Sequence, residues 1–166
     1  MSMSHARISR RTFHRTTAAA AGLTALQAGK VWGANERIRL GFIGLANRGG
    51  QLLTAFLPHA DMEIVALCDV AQTTLDAAHQ RLEGRPDTYQ DFRRILERKD
   101  VDAVVIATPD HWHALQTIHA CAAGKDVYVE KPVSLTVVEG RQMVEAARRH
   151  DRIVQVGMQR RSSQLY

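Results

Sequence analysis

The sequence predicts a doubly wound α/β fold, a parallel sheet with helices on both faces. Three observations predict it. Short β-rich runs alternate with amphipathic helical stretches from Glu36 onward. The first of those runs leads straight into a glycine turn, Gly44-Leu45-Ala46-Asn47-Arg48-Gly49, with a helical pattern behind it. One central run, Ala103-Val104-Val105-Ile106-Ala107, is apolar without interruption, as a strand covered on both faces requires. At 166 residues the chain has room for one such domain and little more.

Taken in order, residues 38–43 read as the first strand. A helix is expected over residues 48–57, with Leu52, Leu53, Phe56 and Leu57 inward and Pro58 ending it. Residues 63–68 form the second strand and 71–82 the second helix. Gly84-Arg85-Pro86-Asp87 reads as a turn, and residues 92–98 as a short helix that points Phe92, Ile95 and Leu96 inward. The apolar run 103–107 counts as the fourth strand, followed by a helix over 113–123 that Gly124 closes. Residues 126–130 make the fifth strand, and 136–150 a helix with Val137, Val144 and Ala147 on its apolar face. Residues 153–157 close the sheet. A doubly wound fold of this kind is expected to have six strands, of which these runs assign five.

The net charge is +5, which raises the question of a nucleic-acid partner. Its distribution answers it. Arg7, Arg10, Arg11, Arg15 and Lys30 lie in residues 1–34 with no acidic residue, and the remaining 17 basic residues equal the 17 acidic ones. The folded part therefore has no basic footprint, and no nucleic-acid partner is expected. The leader itself, Ser9-Arg10-Arg11-Thr12-Phe13 followed by an Ala-rich run over 16–26, resembles a bacterial twin-arginine signal. That implies a periplasmic or otherwise exported protein with no membrane attachment once residues 1–34 are removed. Cys68 and Cys121 sit in apolar runs, match no metal spacing and are expected to be buried free thiols.

In the glycine turn, Gly44 makes the tight bend and Gly49 lets helix pack on strand. Ala46 stands where backbone would approach a pyrophosphate, and Asn47 and Arg48 open the helix whose amides receive the anion. Asp69 ends the second strand twenty residues after Gly49, where a carboxylate accepts hydrogen bonds from ribose hydroxyls and repels a 2′-phosphate. Val70 and Ala71 offer no cation to receive such a phosphate, so NAD is expected in preference to NADP. The same position also suits Asp69 as a helix cap. Thr108-Pro109-Asp110 follows the fourth strand at the carboxyl edge, with Asp110 read as a helix cap and His113 as facing the cofactor. His111 and His113 lack a third partner, so no metal is expected. Glu130-Lys131-Pro132 ends the fifth strand at the same edge. There Lys131 is either a surface lysine beside a turn or the group that favours a substrate alkoxide.

The combination Thr108-Pro109 with His113, and Gly124-Lys125-Asp126-Val127-Tyr128-Val129-Glu130-Lys131-Pro132, resembles the glucose–fructose oxidoreductase, inositol dehydrogenase and rhizopine catabolism (Gfo/Idh/MocA) family over about residues 36–161. The resemblance implies a Rossmann domain over 35–158 that serves an oxidoreductase acting on CH–OH groups of a sugar or polyol. It implies Lys131 as the catalytic lysine, with Glu130 and Pro132 shaping its turn and Glu130 near the cofactor. It also implies a C-terminal α/β domain that completes the substrate pocket and oligomerises. With Tyr166 nine residues past the last strand, residues 159–166 read as the start of a connection to that missing domain, and no oligomeric state follows from the sequence. Exported members of the family hold the cofactor tightly. Some oxidise one sugar and reduce another, and others cleave glycosides through a transient ketone. A non-catalytic nucleotide-binding fragment is the remaining alternative.

Overall fold

The structure, a computed structural model, describes residues 37–159 and residue 161. The expected signal over 1–34 lies outside the described residues, as does most of 159–166. Strand β1 (Ile38–Ile43) is followed by α1 (Arg48–Phe56), β2 (Met62–Cys68), α2 (Gln72–Arg81), β3 (Asp87–Tyr89) and α3 (Phe92–Leu96). The second half runs β4 (Ala103–Ile106), α4 (Asp110–Ala122), β5 (Asp126–Glu130), α5 (Val137–Arg149) and β6 (Val154–Gly157). All pairings are parallel, in the order β3-β2-β1-β4-β5-β6. The order reverses between β1 and β4, and ligands of open sheets collect beyond the carboxyl ends of the strands at that switch point.

Alternation along the strands sorts the core onto two faces. Val105 joins Leu40, Phe42 and Leu67 under α1 and α2, where Leu52, Leu53 and Leu75 cover them. Val104 and Ile106 join Ala66, Val127 and Val129 under α3, α4 and α5. Cys68 and Cys121 are both free and buried in this second layer. Among the described residues no helix is long and apolar enough to cross a membrane.

The structure corrects several details. The third strand is Asp87–Tyr89, beginning at the last residue of the expected turn. It is three residues long and pairs only with β2, so it carries no apolar run to announce it. Helix α4 starts at Asp110 rather than residue 113, with Pro109 as its N-cap. Leu57 caps α1 and is exposed. On α5 the buried residues are Met143 and Ala146, while Val137 is 91% exposed and Val144 is also exposed. A capping box between Thr136 and Glu139 fixes the start of α5 and hence which face turns inward.

Candidate nucleotide site

β1 ends in a turn that only glycine fits. Gly44 has φ +86°, and a Cβ there would sit 2.8 Å from the Ala107 carbonyl carbon and oxygen. A Cβ on Gly49 would strike the Gly44 carbonyl, so this glycine is what lets α1 lie against β1. Between them Ala46 and Asn47 are exposed, with Asn47 at φ +35° as the N-cap of α1. No side chain caps that helix, and its N-terminus opens beside Gly44 and Ala46.

Asp69 holds the turn in place. Its Oδ2 accepts from Leu45 N at 2.8 Å, and its Oδ1 from Ala71 N at 2.9 Å. The N-cap of α2 is Ala71, with no side-chain hydrogen bond, so the alternative of Asp69 as a helix cap does not hold. A carboxylate just ahead of the helix instead clamps the ends of β1 and β2 together.

Gly44, Ala46, Asp69, Thr108 and Pro109 converge on one cleft of about 520 Å³. Val70 also lines it, with Gln90, Asp91, Phe92, Arg93, Trp112 and Gln116, which the sequence does not mark as site residues. Phe92 and Trp112 meet edge to face with centroids 6.5 Å apart, forming an apolar wall. Thr108 Oγ1 donates to Gln116 Oε1 at 2.7 Å, fixing the lip of the cleft. Gln116 follows Trp112 by one helical turn, a spacing that marks both for one face. Asp91 and Arg93, at the start of α3, carry no such signal, because β3, which delivers them to this edge, has no pattern of its own.

His113 braces the cleft from behind rather than lining it. Only 1% exposed, it has Nε2 2.8 Å from the Thr108 carbonyl and Nδ1 2.7 Å from the Pro132 carbonyl. Asp110 is not the cap of α4; it lies in the first turn, where its charge complements the helix dipole. Glu130 is buried and accepts from Arg48 Nε at 2.8 Å, and its Oε2 accepts from Lys131 N at 3.1 Å. Arg48 and Glu130 thus engage each other. Lys131 is exposed beside a second hollow of about 400 Å³, lined also by Met158, Gln159 and Arg161. Lys125, from the same sequence motif, is buried at the amino ends of β4 and β5 and donates to the Arg98 and Val101 carbonyls at 2.5 and 2.9 Å.

Burial, with repulsion from Asp69 and Asp91 added, pushes the Cys68 thiol up to about 12. Hydrogen bonds from Arg93 hold Asp91 below the usual carboxylate range. Among the described residues no group of three or more His, Cys, Asp or Glu side chains could hold a metal ion.

The donor set fits a dinucleotide. An uncapped helix end suits an anion, the wall of Phe92 and Trp112 suits a planar base, and Asp69 suits a vicinal diol. A family model described as an oxidoreductase family with an NAD-binding Rossmann fold, GFO_IDH_MocA, matches residues 38–158. A glycosyl hydrolase family 109 protein of Shewanella sp. strain ANA-3 is 36% identical over 122 residues, covering 69% of this chain and 27% of that protein. An alpha-N-acetylgalactosaminidase of Shewanella oneidensis is 35% identical over the same length and the same shares. The chain therefore spans about a quarter of the length of the curated relatives it matches. Among solved structures, the WlbA dehydrogenase of Chromobacterium violaceum, in complex with NADH and UDP-GlcNAcA, superposes with a TM-score of 0.74 at 28% identity. That match covers 78% of this chain and 37% of the other. The scyllo-inositol dehydrogenase of Lactobacillus casei with NAD(H) and scyllo-inositol gives 0.72 at 28% identity, covering 78% and 38%.

Proposed function

The chain belongs to the Gfo/Idh/MocA oxidoreductase family and carries its NAD-binding Rossmann fold, and on that premise we propose that it binds NAD in preference to NADP and serves oxidation of a CH–OH group in a sugar or polyol. The observation that carries the cofactor preference is Asp69, whose carboxylate lines the cleft beside Val70. A carboxylate accepts from two ribose hydroxyls and repels a phosphate.

Bound NAD supplies the two-electron acceptor for the substrate carbon. The chain's own residues supply position. α1 offers its N-terminal amides to the pyrophosphate, and Asp69 orients the ribose. Lys131, at the end of β5, is the catalytic lysine of this reading; its ammonium steadies the substrate oxygen as it loses its proton. Met158, Gln159 and Arg161, the other described residues around that hollow, include no base for that proton. In this reading the described residues provide nucleotide and oxygen anchoring.

Calorimetric titration of the full chain with NAD and with NADP tests the binding claim. Tighter binding of NAD supports it, and equal or tighter binding of NADP counts against it. Appearance of reduced-nucleotide absorbance with a panel of sugars and polyols tests the oxidation. A second reading, redox-assisted glycoside cleavage, is favoured by the names of the 35–39% identical relatives. Release of aglycone with no net change in NAD distinguishes it.

Export with the cofactor already loaded belongs to the same proposal and rests on the Arg10-Arg11 context. Fractionation of cells carrying wild type and an R10K/R11K variant tests it: the variant is expected to stay in the cytoplasm.

A further inference from the structure

Asp69 is not the only charged group on the rim of the cleft. β3 returns the chain to the carboxyl edge, and the start of α3 behind it brings Asp91, its N-cap, and Arg93 to the same cleft. The chain there is tied to the end of β2: Asp69 N donates to the Tyr89 carbonyl at 3.2 Å and Gln90 Nε2 to the Val70 carbonyl at 3.3 Å. The region expected to face the adenosine ribose is therefore bordered by two carboxylates and one guanidinium.

One edge of the guanidinium, Nε with Nη2, is already occupied. Arg93 Nε lies 2.9 and 3.0 Å from the two Asp91 oxygens, and Nη2 donates to Oδ2 at 2.7 Å. Asp91 Oδ1 also accepts from Arg93 N at 3.0 Å, capping α3. A ribose 2′-phosphate is the ligand an arginine fork at this rim would suit best, because phosphate oxygens match its paired donors. Binding one through the Nε edge means displacing Asp91, and binding one through Nη1 sets the phosphate beside that carboxylate; in both cases Asp91 opposes it.

We propose that the Asp91–Arg93 pair is a second determinant of nucleotide choice, in which Asp91 neutralises the cation that would otherwise receive a 2′-phosphate. This rests on the reading of the cleft as a dinucleotide site. The two side chains are 43% and 67% exposed, so solvent screens the pair and a moderate effect is expected.

The test is equilibrium binding of NADH and NADPH to the full chain, followed by the emission of the reduced nicotinamide. Asp91→Asn is the informative variant, since asparagine keeps an acceptor for the α3 cap while removing the charge. The ratio of NADPH to NADH affinity is expected to rise about threefold in D91N. In D91N/R93A that gain is expected to vanish. In R93A alone the ratio is expected to fall below wild type, because Asp91 is then an unneutralised carboxylate at the rim. An unmoved ratio in D91N with NADH still bound overturns the proposal, and so does an equal gain in D91N/R93A. Loss of NADH binding by wild type overturns the dinucleotide reading itself, and the two failures are thereby distinguished.

Discussion

Arg48 Nε and Glu130 Oε1 meet at 2.8 Å across 82 positions of chain, joining the first turn of α1 to the end of β5. The glutamate side chain is 3% exposed and the arginine 30%. The asymmetry predicts which partner is costlier to remove. Arg48→Ala leaves a buried carboxylate without its cation, whereas Glu130→Gln leaves an arginine that can turn toward water. R48A is expected to cost about 2–3 kcal/mol, below the usual range for fully buried pairs because Arg48 is partly solvated. E130Q is expected to cost less, and R48A/E130Q to recover part of the R48A loss. Urea midpoints at constant slope measure all three. Equal losses from the two single variants would show that the pair acts as a surface contact.

Cys68 gives a pH dependence whose sign follows from its burial. Its thiol is raised from an ordinary 9.0 to about 12, so the folded chain holds a proton that the unfolded chain releases. The associated stability is complete below about pH 9 and is lost as pH rises toward 12. Above pH 9 the loss has a ceiling of about 1.4 kcal/mol per pH unit from this group. Denaturation midpoints of wild type and Cys68→Ala between pH 8 and pH 11 check it. The alanine variant is expected to be less stable throughout but to decline less steeply.

The parts of this fold that were legible are those with a long-range pattern. β4 is apolar on both faces because it is central, and β1 runs into a turn whose glycines are required by backbone contacts at Gly44 and Gly49. β3 was illegible because three residues pairing one neighbour need no alternation. That hid Asp91 and Arg93, since the start of α3 cannot be assigned to the carboxyl edge without the strand that delivers it. On α5 the expected Ala147 does pack against the core, but Val137 and Val144 do not, for a related reason. This helix lies toward the sheet edge and buries a narrow stripe, Met143 and Ala146, so its valines carried no packing information. The sequence places His113 facing the cofactor, whereas the structure buries its ring behind the cleft, because sequence cannot tell a ring that lines a cleft from one that braces it.

That bracing role makes a separate prediction. His113 joins the carbonyls of Thr108 and Pro132, and so ties the lip of the nucleotide cleft to the turn that carries Lys131. His113→Ala leaves a cavity and removes the ring from between the two carbonyls, an expected loss of about 2–4 kcal/mol. Hydrogen exchange is expected to speed up at the first turn of α4 and around residues 131–134, with α1 and α2 unchanged. Uniform acceleration across the sheet would show a global loss instead of a severed local link.

Ala46 and Gly44 lie two residues apart in one turn and should respond oppositely to substitution. Gly44 combines φ +86° with backbone contact to Ala107, so Gly44→Ala is expected to cost about 1–3 kcal/mol for the conformation alone and to abolish nucleotide binding. Ala46 is exposed at the mouth of the cleft and meets no such limit. Its methyl group adds bulk where the fingerprint has a glycine that admits the pyrophosphate. Ala46→Gly is expected to tighten NADH binding by about threefold, equivalent to ~0.7 kcal/mol. Stability should change little, since residue 46 precedes the helix. Titration of A46G with NADH reads the affinity, and a urea midpoint reads the fold. An affinity equal to wild type would mean that the phosphates pass clear of residue 46 and rest on the amides of α1 alone.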